Sequence, residues 1–288
     1  MSAIRRVTTC TLAFAAALVW VKGDADLQDA DSHCAMQLNT NDAPKVASRA
    51  SDLQFPQAWI SHSTNECVQT ETERTRTEAW DATMAGRIEK WAKKEGIQPS
   101  GPGSTVEATA KVRPFLREVF DKLKIRTFLD VPCGDMTWMP GVEYMGGDIS
   151  PSLVASNLRS FASDAKFANR FAVFDITCMI PPKVDMIHTR DVFIHLDSNL
   201  SMQALRNFER SGSKYVAIPN WPSLDGSSNE YHPKGQAYDN VHRYNLELPP
   251  YCLPSPMYSS QNLGTDGLNL LGVWELPALG RGTRPGCR

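Results

Sequence analysis

The chain has 288 residues and carries 30 Lys and Arg against 32 Asp and Glu, a formal net charge of −2. A chain of this length can bury a sizeable hydrophobic core, and apart from its ends it is predicted to form one α/β domain. The near-neutral charge argues against a nucleic-acid partner, because a phosphate-binding surface normally shows as an excess of basic residues.

The first 22 residues have the pattern of a targeting segment. Arg5 and Arg6 precede an apolar run over residues 7–21. A charged start followed by ~7–15 apolar residues is typical of a secretory signal, whereas a membrane-spanning helix needs about 20. We predict that residues 1–22 are a signal peptide or signal anchor and that the protein enters the secretory pathway, as a lumenal or secreted protein. Membrane anchoring through an uncleaved 7–21 segment is the alternative.

Seven cysteines fit this localisation without proving it. They show neither CxxC nor Cys/His ligand spacing, so we expect no bound metal. In an oxidising lumen Cys34 and Cys67 could pair, and unpaired buried thiols are the alternative. Cys133 is expected to be packed rather than reactive.

An irregular polar arm (23–70) and a region of N-terminal helices (71–124) follow. A first helix is predicted over residues 72–94, where Trp80, Met84, Ile88 and Trp91 recur at helical spacing. A second helix is predicted over residues 105–123, with Ser104 and Glu107 forming a capping box at its start.

Next comes an apolar strand that enters a turn, with the sequence FLDVPCGD at residues 128–135. The turn holds one glycine, Gly134, with Asp130 before it and Asp135 after it. A second apolar segment, 142–147, ends at Asp148. A strand, a tight glycine turn and an acid about 20 positions later are typical of α/β proteins that bind an adenosine-containing cofactor.

The residues of this turn favour one cofactor over the others. Dinucleotide sites use G-x-G-x-x-G to receive a diphosphate, and a Walker phosphate loop is absent from the chain. Carboxylates at the turn would repel a diphosphate but attract an ammonium group. S-adenosylmethionine (SAM) carries an ammonium, a sulfonium and ribose hydroxyls, and therefore fits the pattern.

Several further segments strengthen this interpretation, namely FLDVPCGDMTWM, YMGGDIS, DMIHTRDVFIHL, ALRNFERSGSKYVAI, YNLELPP and LLGVWEL, with GPGSTVEATAKVRPFL upstream. In this order they resemble a group of class I SAM-dependent methyltransferases, over about residues 100–279. The resemblance implies a doubly wound, seven-stranded, mostly parallel sheet with an N-terminal helical extension. It also implies a SAM-binding methyltransferase domain at 125–280 and a tail at 281–288, with the cofactor over the ends of strands one and two.

The remaining elements are predicted from apolar runs and helix-start signals. Strands are expected at 170–175, 184–189, 215–218, near Met257 and at 268–276, and helices from Pro151, with Ser150 as N-cap, and at 199–210. Only residues 136–141 separate the first two strands, too few for a full crossover helix.

Ten residues are predicted to bind the cofactor: Asp130, Pro132, Gly134, Asp135, Trp138, Asp148, Ile149, Asp175, Ile176 and Arg190. Asp148 is expected to accept hydrogen bonds from the ribose hydroxyls, and Gly134 to let the ligand approach the backbone. Asp130 is expected to orient the turn or to bind the methionine ammonium.

Two other cofactor candidates, Asp135 and Asp175, have defined alternatives. Asp135 is expected either at the cofactor or as the cap of a short helix. The family places adenine contacts at Asp175 and Ile176, the acid accepting from the adenine amino group and the isoleucine packing on the ring. A solvated acid at the end of a strand is the alternative for Asp175.

Catalytic candidates follow the fourth strand, at Arg190, Asp191 and His195. Asp191 and His195 would share one face of a helix that starts there, so His195 could take a proton from a substrate hydroxyl while Asp191 holds its ring. A structural histidine is the alternative. Arg190 is expected to pair with Asp191 or to grip a substrate carboxylate.

The sequence therefore predicts a SAM-dependent methyltransferase that acts on an unidentified, small-molecule acceptor. The alternative is a catalytically silent SAM-fold module that engages a protein partner, since a fold alone does not establish activity.

Overall fold

The computed structural model describes residues 78–79, 81–82, 86, 100, 102–136, 142–222, 229, 242–260 and 269–287. The chain divides into two units, Met1–Arg49 and Ala50–Arg288, and every described residue belongs to the second. No helix among the described residues is long and apolar enough to cross a membrane, and the apolar run 7–21 lies outside them.

Seven strands form one sheet: β1 (Thr127–Asp130), β2 (Glu143–Asp148), β3 (Phe171–Val173), β4 (Met186–His188), β5 (Tyr215–Asn220), β6 (Tyr258–Ser259) and β7 (Leu270–Glu275). Their order is β3-β2-β1-β4-β5-β7-β6. The first five strands are parallel, and β7 is antiparallel to both β5 and β6. The predicted seven-stranded, mostly parallel sheet is confirmed.

Helices cover the sheet: α1 (Val112–Leu123), α2 (Pro151–Ser160) and α3 (Ser198–Arg210), with 3-10 turns at Pro102–Ser104 and Phe193–His195. The start predicted for α2 is confirmed, because the Ser150 hydroxyl accepts from the Leu153 N–H at 3.3 Å and Pro151 is the first helical residue. The described residues between 78 and 86 are helical. Trp80, Met84, Ile88 and Trp91 lie outside the described residues.

The start predicted for α1 is wrong by seven residues. Residues 105–111 form successive turns instead, in which the Thr105 hydroxyl accepts from the Ala108 N–H at 3.1 Å and the Thr109 hydroxyl donates to the Thr105 carbonyl at 2.8 Å. Such local side-chain bonds compete with the regular helix. Ser104 therefore ends a 3-10 turn and caps no helix.

The core lies on both faces of the sheet, as the alternation of side chains along its strands requires. On β1, Phe128 belongs to the cluster that holds Val112 and Leu116 of α1. The next residue, Leu129, belongs to the cluster that holds Leu205 of α3. The helices thus pack on opposite faces, and the sheet is doubly wound.

Disulfides occur, although not at the pair that the sequence suggested. Cys252 is bonded to Cys287, and Cys178 is also disulfide-bonded. Unpaired thiols were therefore the wrong alternative for these three cysteines, while Cys133 is free and buried as expected. Cys34 and Cys67 lie outside the described residues. The C-terminal tail is fixed to the domain at two points. Cys287 forms the disulfide with Cys252, and the Arg284 guanidinium lies 3.1 Å from the Glu247 carboxylate.

Candidate cofactor and active site

Gly134 lies at the centre of the turn after β1 and has a left-handed backbone, φ +56°. A Cβ at this position would lie 2.6 Å from the Ser100 hydroxyl oxygen. Both the conformation and this close approach require glycine. The Ser100 hydroxyl therefore lies directly against the backbone of this turn, where a larger residue at position 134 would not fit.

Asp148 ends β2 directly beside this turn and is 6% exposed. Its carboxylate accepts from the Gly134 N–H at 3.3 Å and from the Ser150 N–H at 3.0 Å. Burial raises the pKa of Asp148 to about 6, although these two hydrogen bonds oppose the rise. A carboxylate offers about four lone-pair positions, so two such bonds leave capacity for further donors.

Asp130 lies below the turn rather than on its surface. It is 2% exposed, and its carboxylate lies 2.6 Å from Nδ1 of His188 and accepts from the Tyr144 hydroxyl at 3.3 Å. Of its two predicted roles, these contacts favour orienting the turn over binding the methionine ammonium. Sequence reasoning missed His188 and Tyr144 as its partners, although Asp130 and His188 are directly opposed in the parallel register of β1 and β4.

A short segment from upstream crosses the site, and we call Ser100 together with Pro102–Ser104 the strap. At one end the Ser100 hydroxyl accepts from the Asp135 N–H at 2.7 Å, and the Ser100 N–H donates to the Asp135 carboxylate at 3.4 Å. At the other end Arg190 Nη1 donates to the Gly103 carbonyl at 3.0 Å. Asp135 therefore binds the strap, and the short helix that it was predicted to cap as an alternative lies outside the described residues.

Asp81, from the N-terminal helical region, contacts the start of α2 beside Asp148. Its carboxylate accepts from the Ser150 hydroxyl and, at 2.8 Å, from the Ser152 hydroxyl. Burial would raise the pKa of Asp81, but the bonds from Ser150 and Ser152 outweigh it and lower that pKa. Asp81 thus contacts the residues that follow β2, as Ser100 contacts the turn that follows β1.

The residues predicted at the adenine end are buried. Asp175 is 6% exposed, so the solvated acid proposed as its alternative is wrong. One carboxylate oxygen accepts from the Thr177 N–H at 2.8 Å and from the Thr177 hydroxyl at 2.7 Å. Ile176 belongs to the core cluster, while Ile149 and Pro132 are half-buried beside the turn. Trp138 lies outside the described residues.

At the end of β4 the predicted helical face does not form. Asp191 has φ +58°, His195 lies in a 3-10 turn, and α3 begins only at Ser198, capped by Asp197. The shared face of Asp191 and His195 is therefore wrong. Asp191 instead lies 3.4 Å from Arg190, so the predicted pairing of these two is confirmed. His195 is half-buried.

The strand order places the residues that follow β1, β2 and β4 at the same side of the sheet, where the carboxyl ends of the parallel strands lie. From β1 the chain proceeds outward to β2 and β3, and it then returns to β4 on the other side of β1. Such a reversal opens a crevice at the carboxyl ends of the two central strands, where ligands of open α/β sheets bind. Gly134 and Asp148 lie on one side of this crevice, and Arg190 lies on the other.

Comparisons with known proteins give the following. No protein-family model and no curated protein matches the chain. Solved structures with a similar arrangement include a SAM-dependent methyltransferase from Clostridium acetobutylicum ATCC 824 (12% identity, 68% of this chain and 98% of that chain, TM-score 0.41). Another is magnesium protoporphyrin IX methyltransferase from Synechocystis PCC 6803 with bound S-adenosylhomocysteine (SAH) (11%, 70% and 99%, TM-score 0.41).

A third similar structure is TnmH, at 15% identity and a TM-score of 0.41, where the match covers 59% of this chain and 55% of TnmH. The chain therefore spans about half the length of TnmH and nearly all of the other two. These similarities are too distant to support a conclusion by themselves. The fold is identified by the strand order of the sheet, in which the antiparallel β7 lies between β5 and β6. The chain has the class I methyltransferase fold.

Within this fold, two contributions were missed by sequence reasoning. Neither Ser100 nor Asp81 is among the residues that the sequence predicts for the site. Hydroxyl-bearing residues in the glycine- and proline-containing 99–104 stretch were the available signal, since such residues commonly bond to backbone groups in turns. Among the described residues, no group of three or more His, Cys, Asp or Glu could hold a metal ion.

Proposed function

We propose that this protein is a SAM-dependent methyltransferase that acts on a small-molecule acceptor. The observation that carries the proposal is the buried Asp148 carboxylate beside the left-handed Gly134, at the reversal point of the sheet. An acid in this place suits ribose hydroxyls, and a glycine turn suits a ligand that lies on the backbone.

The charges at the turn fit SAM better than a dinucleotide. Residues 127–136 contain no Lys or Arg, and their charged groups are Asp130 and Asp135. With Asp148 next to them, the turn attracts a cation and would repel a diphosphate. The nearest described basic group of the site, Arg190, is engaged by the strap and by Asp191.

When bound, SAM supplies an electrophilic methyl group on its sulfonium. The chain's own contribution is alignment: the strap, the turn and the end of β4 surround the crevice, and holding two reactants in line supplies much of the rate of such a transfer. His195 lies in the 3-10 turn that follows Arg190 and Asp191 in the chain. If the acceptor atom is a hydroxyl, His195 receives its proton as the new bond forms.

A thermal-shift titration of the full chain with SAM, SAH and NAD tests this proposal. We expect SAM and SAH to raise the melting temperature with concentration and NAD to leave it unchanged, because only a ligand that binds the native state stabilises it by mass action. Stabilisation by NAD, or by none of the three, would contradict the cofactor assignment. Binding of SAM without turnover across a panel of acceptors would favour the silent, partner-binding module.

We also propose that the protein enters the secretory pathway. The support is the apolar run 7–21 after Arg5 and Arg6, together with the disulfide between Cys252 and Cys287, since disulfides persist in oxidising compartments.

A reporter fused after residue 30 is expected to enter the secretory route, and deletion of residues 1–22 is expected to leave a soluble protein that binds SAM. Cell fractionation with protease protection measures the first result, and the thermal shift measures the second. The matched control is the same fusion with Arg5, Arg6 and the 7–21 run removed. A cytosolic reporter in the intact fusion would rule out the signal segment.

A further inference from the structure

Three buried polar atoms near the ends of β4 and β5 have no hydrogen-bond partner among the described residues: the Tyr244 hydroxyl, Nε1 of Trp221 and the Thr189 hydroxyl. These side chains are 1%, 6% and 0% exposed, respectively. Folded proteins satisfy nearly all buried polar groups, because leaving one without a partner is costly. Three such atoms in one region require an explanation.

Backbone hydrogen bonds and ring contacts connect these residues to the ends of β4 and β5. Thr189 directly follows β4 and its N–H donates to Ala217 of the neighbouring β5 at 3.0 Å. Trp221 directly follows β5, and its N–H donates to the Tyr244 carbonyl, also at 3.0 Å. The rings of Trp221 and Tyr244 meet edge to face with their centroids 5.0 Å apart.

Tyr244 connects this cluster to the residues at the end of β4. Its ring centroid lies 5.9 Å from that of Phe193, which belongs to the same 3-10 turn as His195. Burial raises the pKa of Tyr244 well above its usual value, and the negative charge of Asp191 adds to the rise. The phenol is therefore protonated at neutral pH, lies within electrostatic range of Asp191, and can donate a hydrogen bond.

The chemistry of these atoms specifies a ligand. The indole N–H of Trp221 can only donate, and the hydroxyls of Tyr244 and Thr189 can both donate. A carboxylate is an acceptor-only group that takes several such bonds, and aromatic faces favour a planar ring beside it. The Arg190 guanidinium next to Asp191 offsets the negative charge of that acid.

We propose that Trp221, Tyr244 and Thr189 form the acceptor-binding site and that they select a planar aromatic compound bearing a carboxylate. This inference rests on the proposed methyltransferase function and names the class of its acceptor. The bound substrate would accept the hydrogen bonds that these three buried atoms do not make with other described residues.

Stability of the ligand-free protein separates a binding role from a structural one. Tyr244→Phe and Thr189→Val remove a hydroxyl at nearly constant volume. If each hydroxyl awaits a ligand, the melting temperature stays unchanged or rises by about 1–4 °C, because a buried unsatisfied group has been removed. The matched control is Tyr144→Phe: Tyr144 is equally buried, but its hydroxyl bonds to Asp130, so its loss should lower the melting temperature. A fall for Tyr244→Phe as large as the control's would overturn the inference.

Benzoate serves as the probe of the site, titrated into the full chain saturated with SAH. We expect millimolar binding by the parent, in keeping with the size of the probe, and at least about fivefold weaker binding by Tyr244→Phe. SAH affinity should stay within about twofold in both proteins. No binding of benzoate by the parent below about 10 mM, or binding of phenol in preference to benzoate, would overturn the carboxylate class.

The two proposals fail in different ways. If neither SAM nor SAH stabilises the parent, the methyltransferase function fails. If SAM and SAH both bind, the acceptor site alone can still fail. It fails if Tyr244→Phe lowers the melting temperature of the ligand-free protein, or if this variant binds benzoate as tightly as the parent does.

Discussion

His195→Ala is expected to lower turnover by about 10²–10⁴-fold with SAM affinity nearly intact, provided the acceptor atom is a hydroxyl. A neutral imidazole near pH 7 can accept the hydroxyl proton as the methyl group transfers. His195 lies in the 3-10 turn shortly after β4, and this turn follows the Arg190–Asp191 pair in the chain. Losing a base removes stabilisation of the transition state and leaves cofactor binding untouched. Single-turnover rates with an acceptor panel, measured alongside calorimetric SAM affinity, check both parts.

A neighbouring histidine supplies the control for this experiment. His242 lies next to the same 3-10 turn, since its N–H donates to the Ile194 carbonyl at 3.1 Å. His242→Ala is expected to cost clearly less turnover than His195→Ala. Equal rates for His195→Ala and the parent at every pH would show that this histidine is structural.

Asp148→Ala is expected to weaken SAM binding by roughly 1–3 kcal/mol, the usual result of leaving a buried hydrogen-bonding partner unpaired. Isothermal calorimetry on the folded variant measures this loss. Asp175→Ala is the comparison, because Asp175 is equally buried and also accepts hydrogen bonds from its own neighbours, here the N–H and hydroxyl of Thr177. We expect Asp148 to contribute more. SAM affinity unchanged in Asp148→Ala would remove this residue from the ribose-binding role.

The pH dependence of SAM binding gives a second measure of Asp148. Its folded-state pKa, about 6, lies above its ordinary value, so the ionised carboxylate predominates above pH 6 and is lost as the pH falls through that value. Ribose hydroxyls donate to the ionised form. Binding should therefore weaken by about tenfold between pH 7 and pH 5, and Asp148→Asn should abolish the change.

The same raised pKa affects the ligand-free protein in the opposite direction. Because the folded state holds the proton more tightly than the unfolded chain, this group favours folding as the pH falls from about 7 towards 4. SAM should therefore bind best above pH 6, whereas the contribution of Asp148 to the stability of the ligand-free protein should grow below pH 6. Observing both trends would identify Asp148 as the group responsible.

Local patterns in the sequence predicted those parts of the fold that depend on neighbours along the chain. Ser150 followed by Pro151 predicted the start of α2, and the apolar run before Gly134 predicted β1 and its turn. Both succeed because capping and turn formation involve residues only a few positions apart. The start of α1 could not be predicted in this way, because the Thr105 and Thr109 hydroxyls stabilise turns where the pattern favours a helix.

Contacts between distant parts of the chain could not be predicted from local patterns. Asp130 meets His188 across 58 residues, and Arg190 meets Gly103 across 87. The first contact depends on the register of two parallel strands, and the second on where the strap crosses the site. The sequence did predict the pairing of Arg190 with Asp191, which are neighbours in the chain, but the helical face that it predicted for Asp191 and His195 does not form.

By itself the sequence determined the order of strands and helices along the chain, the glycine turn and the acid at the end of the second strand. Apolar periodicity and turn chemistry are local properties, and they carry this information directly. Only the tertiary structure decided which polar groups are buried and what they contact. It placed Asp130 beneath the turn, laid Ser100 over Gly134, and left Trp221, Tyr244 and Thr189 without partners among the described residues. Burial and hydrogen bonding depend on every element packed around a group, and those elements meet only when the chain has folded.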